Sequence, residues 1–142
     1  MPMIDVYATE GTFKNKKELL KALCARLMQW EKVPPISLFL DNTAAFLHEL
    51  KADEISTARG DNNYVRVQIL TPAGTLRREQ QLGVVKDLTQ IIADAAGDPT
   101  QVERTWVLIH ESPDGAWGID GHAYTNAEIP EAARKEMAAA KK

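Results

Sequence analysis

One order of elements occurs twice in this 142-residue chain: strand, turn, helix, proline or glycine stop, strand. A repeated unit of about 60 residues leaves few folds open, because each copy needs the other to bury its apolar face. Pro2 opens the first pass and Asn63 the second, 61 residues later; Gly11 and Gly74, which close the first turns, lie 63 apart. In the first pass, residues 2–9 are β-branched and aromatic enough for a strand, and Glu10-Gly11-Thr12 turns the chain. Leu19, Leu20, Leu23, Cys24, Leu27 and Met28 then mark one face of a helix that Val33-Pro34-Pro35 ends. Ile36-Ser37-Leu38-Phe39-Leu40 reads as the second strand, and the segment from there to Glu54 fits strand, short helix or loop.

After the turn-rich residues 57–63 the second pass begins. Tyr64–Leu70 alternates as a strand does, and Thr71-Pro72-Ala73-Gly74 turns. Leu82, Val85, Leu88, Ile92 and Ala95 trace a helical face that stops at Gly97. Arg104–His110 predicts another strand, Asp114–Gly121 a glycine-punctuated hairpin, and Pro130–Lys142 a terminal helix or tail.

Each strand-helix-strand unit carries a parallel, right-handed crossover, so two of them can join their sheets with both helices on one face. The predicted class is α+β: a two-layer sandwich of a four-stranded sheet and two helices. Residues 1–58 form the first unit, 59–129 the second and 130–142 the tail, within one structural domain. The other sheet face stays uncovered, and that much apolar surface predicts self-association.

Composition narrows the function classes. Seventeen Lys and Arg against twenty Asp and Glu give a net charge of −3, without the basic excess of a nucleic-acid binder. There is no apolar run long enough to span a membrane and no secretory leader, so the expected location is the cytoplasm. The single cysteine, Cys24, rules out an internal disulfide and a cysteine-based zinc site, and reads as a buried structural thiol. His48-Glu49 and His110-Glu111 do not continue into a zinc motif, so no metal is expected. Phosphate-loop, dinucleotide and serine-hydrolase signatures are missing, and no cofactor is expected.

The residues carry a family resemblance. Residues 63–125 are similar to the 4-oxalocrotonate tautomerase subunit in the Val65–Leu70 strand, the Gly74 turn, Arg78-Glu79-Gln80-Gln81 at the helix start, and Val107–Glu111 leading to the Gly115–Gly121 hairpin. Met1-Pro2, a strand, Glu10-Gly11 and an amphipathic helix match the start of the same family. The whole resembles a fused, two-unit member of the tautomerase superfamily. That implies a tautomerase/MIF-like sandwich, a homotrimer, and an N-terminal proline that moves protons once Met1 is removed. Pro2 has a physical case of its own: an exposed N-terminal amine titrates near about 7.7–8.0, and an apolar pocket lowers that value toward a neutral base. Nearby carboxylates would instead hold it protonated, as a general acid.

The arginines depart from the family pattern. Thr12-Phe13 and Thr75-Leu76 stand where an arginine is expected after each glycine, and Phe39 and Trp106 fall where the later strand arginine does. Arg77 and Arg78 are the substitutes for holding a substrate carboxylate; as cations in a helical first turn they oppose the macrodipole. Arg66 on the third strand is a further candidate, with a surface or interface ion pair as its other reading. Trp117 falls at the family's apolar wall, or packs on another subunit. Trp106, like Phe39 and Trp30, fits core or interface as well as substrate contact. The implied activity is isomerisation of a small 2-oxo acid, enol or unsaturated carboxylate with Pro2 as general base. Two alternatives stay open: a hydratase, dehalogenase or decarboxylase using protonated Pro2, and a non-catalytic oligomeric interaction protein.

Overall fold

The computed structural model describes residues 1–141. The first half runs β1 (Met3–Thr9), α1 (Lys16–Glu31), the single helical turn α2 (Ser37–Leu40) and β2 (Ala44–Leu50). The second runs β3 (Val65–Pro72), α3 (Arg78–Ala96) and β4 (Thr105–Ser112). A hairpin, β5 (Trp117–Ile119) and β6 (His122–Tyr124), and the helix α4 (Glu128–Ala140) complete the chain.

The four long strands form one sheet in the order β2-β1-β3-β4. β1 and β2 are parallel, as are β3 and β4, and the two halves meet antiparallel through β1 and β3, with Ile4 opposite Ile69 and Val6 opposite Val67. Those four side chains face the helices and are fully buried. Against them α1 lays Leu19, Leu23 and Leu27, and α3 lays Val84, Leu88 and Ile92, the helical spacing of a core-facing stripe. Both helices therefore cover one face. The opposite face carries Phe46, Leu70, Trp106 and Leu108, each more than two fifths exposed.

One strand lies elsewhere than the sequence predicts. Ile36–Leu40 is not a strand: Ile36 is extended, and its carbonyl then accepts from the N–H groups of Phe39 and Leu40, closing a helical turn. A short apolar run without alternation carries no period to separate strand from helix. The strand is β2, in the segment the sequence leaves open, and Phe39 is buried with Met1 and Trp117 outside the sheet. The hairpin also extends past Gly121. Asp120 and Gly121 form its turn with φ of 51° and 78°, the positive values a two-residue hairpin loop needs, and the second arm is β6.

The Trp30 side chain of α1 packs against α3 at Gly83. A Cβ there would stand 2.2 Å from the Trp30 ring, whose Nε1 donates to Asp87 at 2.8 Å. Gly83→Ala gains about 1 kcal/mol in helix propensity, but it overpacks a rigid indole, which costs about 1–3 kcal/mol. The expected result is a net loss of up to about 2 kcal/mol, read as a lower midpoint in a circular-dichroism melt. In a Trp30→Leu background the same substitution should be neutral or stabilising. Equal losses in both backgrounds would exclude the contact as the cause.

Candidate active site

The antiparallel register sets Met3 opposite Leu70, so the end of β3 and the turn after it lie beside the start of β1. The parallel crossover returns the C-terminal end of α1 to the same place. A cleft of about 450 Å³ opens there. Its walls come from Glu31, Lys32 and Val33 after α1, Phe39 of α2, the Ala73–Thr75 turn, and Ile129, Arg134 and Met137 of α4. The turn is held from two sides: Asn126 Nδ2 donates to the Ala73 carbonyl at 2.7 Å, and Gly74 N–H donates to Glu111 Oε1 at 3.3 Å.

Met1 lines this cleft and is 3% exposed, packed in one apolar cluster with Phe39, Trp117 and Ala133. Pro2, fully buried, follows it, and its carbonyl accepts from Ala44 N–H at 3.2 Å. With Met1 in place, the Pro2 nitrogen is an amide and has no basicity. The N-terminal ammonium of Met1 instead meets both oxygens of Glu31 at 3.2 Å, and the Glu31 side chain is almost wholly buried. Burial pushes the Glu31 carboxyl above its usual range, with the attraction and hydrogen bond of the ammonium opposing the rise. Burial likewise lowers the amine from its usual value, against the opposing pull of Glu31.

Two cations border the cleft, Lys32 and Arg134. Lys32 caps α1 in the left-handed conformation, φ 58°, with helix-closing hydrogen bonds from Lys32 N–H to Gln29 O and from Val33 N–H to Met28 O. Glycine is the usual occupant of that position, and a residue with a Cβ costs about 1 kcal/mol there. The strained cap places Lys32 at the border of the cleft.

The residues singled out from sequence lie in several places. Trp117 is buried in the cluster around Met1. Arg77 is exposed at the N-cap of α3, where its N–H donates to Gln80 Oε1 at 2.9 Å. Arg78 borders a separate groove between α3 and β4. Arg66 and Trp106 are neighbours on the open sheet face, Arg66 lying 4.4 Å from the Tyr7 ring centre and Trp106 stacking on Tyr64 at 4.7 Å. Within one chain none of these five lines the cleft. Glu31, Lys32 and Arg134 were not identified from sequence. One local signal was available: α1 ends on an acid, with no base in its last turn, against the preference of a helix C-terminus for cations.

The ion pair makes stability pH-dependent with a definite sign. A carboxyl whose folded pKa is raised contributes stability that is full below its unfolded value of 4.5 and lost as pH rises through the folded value. A lowered amine contributes stability present above 8.0 and lost as pH falls through its folded value, and removing Glu31 lowers that amine further. Both effects favour the wild type over Glu31→Gln progressively as pH falls from 8 toward 4.5. Urea titrations of Met1-bearing protein should show that trend. A stability difference that stays flat across the range would place the carboxylate in solvent.

Comparisons with known proteins agree with this architecture. Residues 64–127 match the family model described as tautomerase enzyme. No curated protein matches the chain. Among solved structures, a fused 4-OT described as a wild-type symmetric trimer is 22% identical, with 84% of this chain and 93% of that one covered at a TM-score of 0.71. Macrophage migration inhibitory factor from Oncomelania hupensis is 17% identical over 99% and 94% of the two chains, TM-score 0.73. A member of the cis-3-chloroacrylic acid dehalogenase family is 16% identical over 96% and 98%, TM-score 0.65. Residues 64–127 thus carry a tautomerase-family match, and the chain as a whole has the doubled strand-helix-strand fold of the fused 4-OT structures.

Proposed function

We propose that the mature protein is a cofactor-independent tautomerase in the cytoplasm, acting on a small 2-oxo acid, enol or related unsaturated carboxylate, with Pro2 as its general base after Met1 is removed. The observation that carries the reading is the environment of the N-terminal amine: an apolar cleft in which burial is the largest influence on its pKa. Loss of Met1 turns the Pro2 nitrogen into a secondary amine, and a buried amine tends to be neutral at physiological pH. Its lone pair takes the proton of an enol hydroxyl, and a proton is returned to the adjacent carbon, so the substrate isomerises with no atom gained or lost. Lys32 and Arg134 hold the carboxylate and stabilise the enolate charge, while Trp117 and Phe39 keep water out. Arg66, Arg77, Arg78 and Trp106 contribute only where a neighbouring copy brings them to the cleft.

Glu31 supports a second reading. A carboxylate within hydrogen-bonding range of the N-terminal amine favours its protonated form, which suits hydration, dehalogenation or decarboxylation. For assembly we propose a homotrimer, supported by the open apolar face and by the trimers described for fused 4-OT. Static light scattering should give three chains per particle, and a monomer would leave that face unexplained.

The catalytic test combines intact mass spectrometry with phenylenolpyruvate and 2-hydroxymuconate ketonisation. The expected protein lacks Met1, and Pro2→Ala loses about 10²–10⁴-fold in kcat/KM, the usual contribution of a general base. Retained Met1, or equal rates in the two proteins, excludes this chemistry and leaves a non-catalytic interaction protein. Consumption of a haloacrylate or malonate semialdehyde without ketonisation would favour the general-acid reading. Lys32→Gly separates binding from folding: it relaxes the left-handed cap, so the melting midpoint holds or rises, while loss of the charge-assisted contact raises KM about tenfold or more.

A further inference from the structure

Outside this cleft, an apolar groove of about 700 Å³ lies between α1 and the free edge of β2. Along α1 its floor follows one stripe, Leu20, Cys24 and Met28, with Ala25 beside it. The other wall is the start of β2, and Val33, which also borders the cleft at the N-terminus, closes one end with Leu40. From Lys17 to Met28 the stripe is about 16 Å long at the rise of an α-helix. Leu40, though apolar, is 53% exposed.

Two features distinguish this groove from an ordinary surface furrow. Thr43 is 8% exposed and lines it, and the Thr43 hydroxyl is buried without a hydrogen-bond partner. An unmet buried hydroxyl is costly, so a ligand oxygen placed there gains affinity. At the opposite end stand Lys17 and Lys21. Lys16 next to them pairs with Glu49 at 2.6 Å, but among the described residues neither Lys17 nor Lys21 meets a carboxylate. An apolar trough with two free ammonium groups at one end and an unmet hydroxyl at the other matches a particular ligand chemistry.

We propose that this groove is a second ligand site, which takes an aliphatic carboxylate bearing an oxygen at its far end. The carboxylate meets Lys17 and Lys21, the chain lies over Leu20, Cys24 and Met28, and the terminal oxygen accepts from or donates to Thr43. The site does not depend on Pro2 chemistry.

The probes are dodecanoate and ω-hydroxydodecanoate, each titrated calorimetrically into the intact protein below its micelle concentration. A second readout is the rate at which N-ethylmaleimide labels Cys24, followed at alkaline pH because burial raises that thiol. The expected result is saturable binding of one ligand per chain and slowed Cys24 labelling. The hydroxy acid should bind about five- to tenfold tighter, the worth of one neutral hydrogen bond, and Thr43→Val should erase that preference. Lys17→Ala with Lys21→Ala should weaken both acids about tenfold or more. Ala25→Trp, at an exposed position, should block binding and leave ketonisation unchanged. Absence of saturable binding, or binding indifferent to Ala25→Trp and to the lysines, overturns the proposal. A change in particle mass on Ala25→Trp would also overturn it, by assigning the groove to a contact between copies.

Discussion

The antiparallel pairing of β1 with β3 is the constraint from which the rest of the molecule follows. Each strand-helix-strand unit alone has only two strands, and its inner strand, β1 or β3, would present an unpaired edge. Joined through Ile4–Ile69 and Val6–Val67, the two make a four-stranded sheet whose right-handed crossovers place α1 and α3 on one side. The same pairing leaves the reverse face without a helix. It also brings the turn after β3 to the start of β1, and so decides where a cleft can form.

At that junction the chain accepts several local costs. Glu31 is buried at the negative end of a helix, Lys32 adopts a conformation better suited to glycine, and a charged N-terminus leaves water to meet Glu31. None of these improves the core. Together they concentrate an amine, a carboxylate and two cations around one apolar cleft, a distribution that proton-transfer chemistry can use and packing alone does not require. Met1 occupies the space in the form described, so its removal changes both the chemical identity of the amine and the room beside it.

The fold was largely legible because its main elements are strongly periodic. Leu19, Leu23 and Leu27 in α1, Val84, Leu88 and Ile92 in α3, and the alternation of β3 each declare one face. Ile36–Leu40 was not legible, since five mostly apolar residues fit either a turn of helix or a strand, and burial of Phe39 against Met1 and Trp117 is a tertiary matter. Resemblance pointed to Pro2 and Trp117, and the fold buries Pro2 next to Met1 and Trp117 in the apolar cluster around Met1. Arg77 and Arg78 stand out in sequence as cations in a helical first turn, whereas among the described residues the cations bordering the cleft are Lys32 and Arg134, from the end of α1 and from α4.

The sequence by itself determined the doubled unit, the two helical faces and the α+β class, because these are properties of local period and order. Only the tertiary structure decided that Glu31 meets the N-terminal amine, that Lys32 and Arg134 border the same cleft, and that Thr43 is buried with its hydroxyl unmet. The physical reason is that burial and charge proximity depend on strand register and helix packing, which bring together residues that no sequence spacing connects.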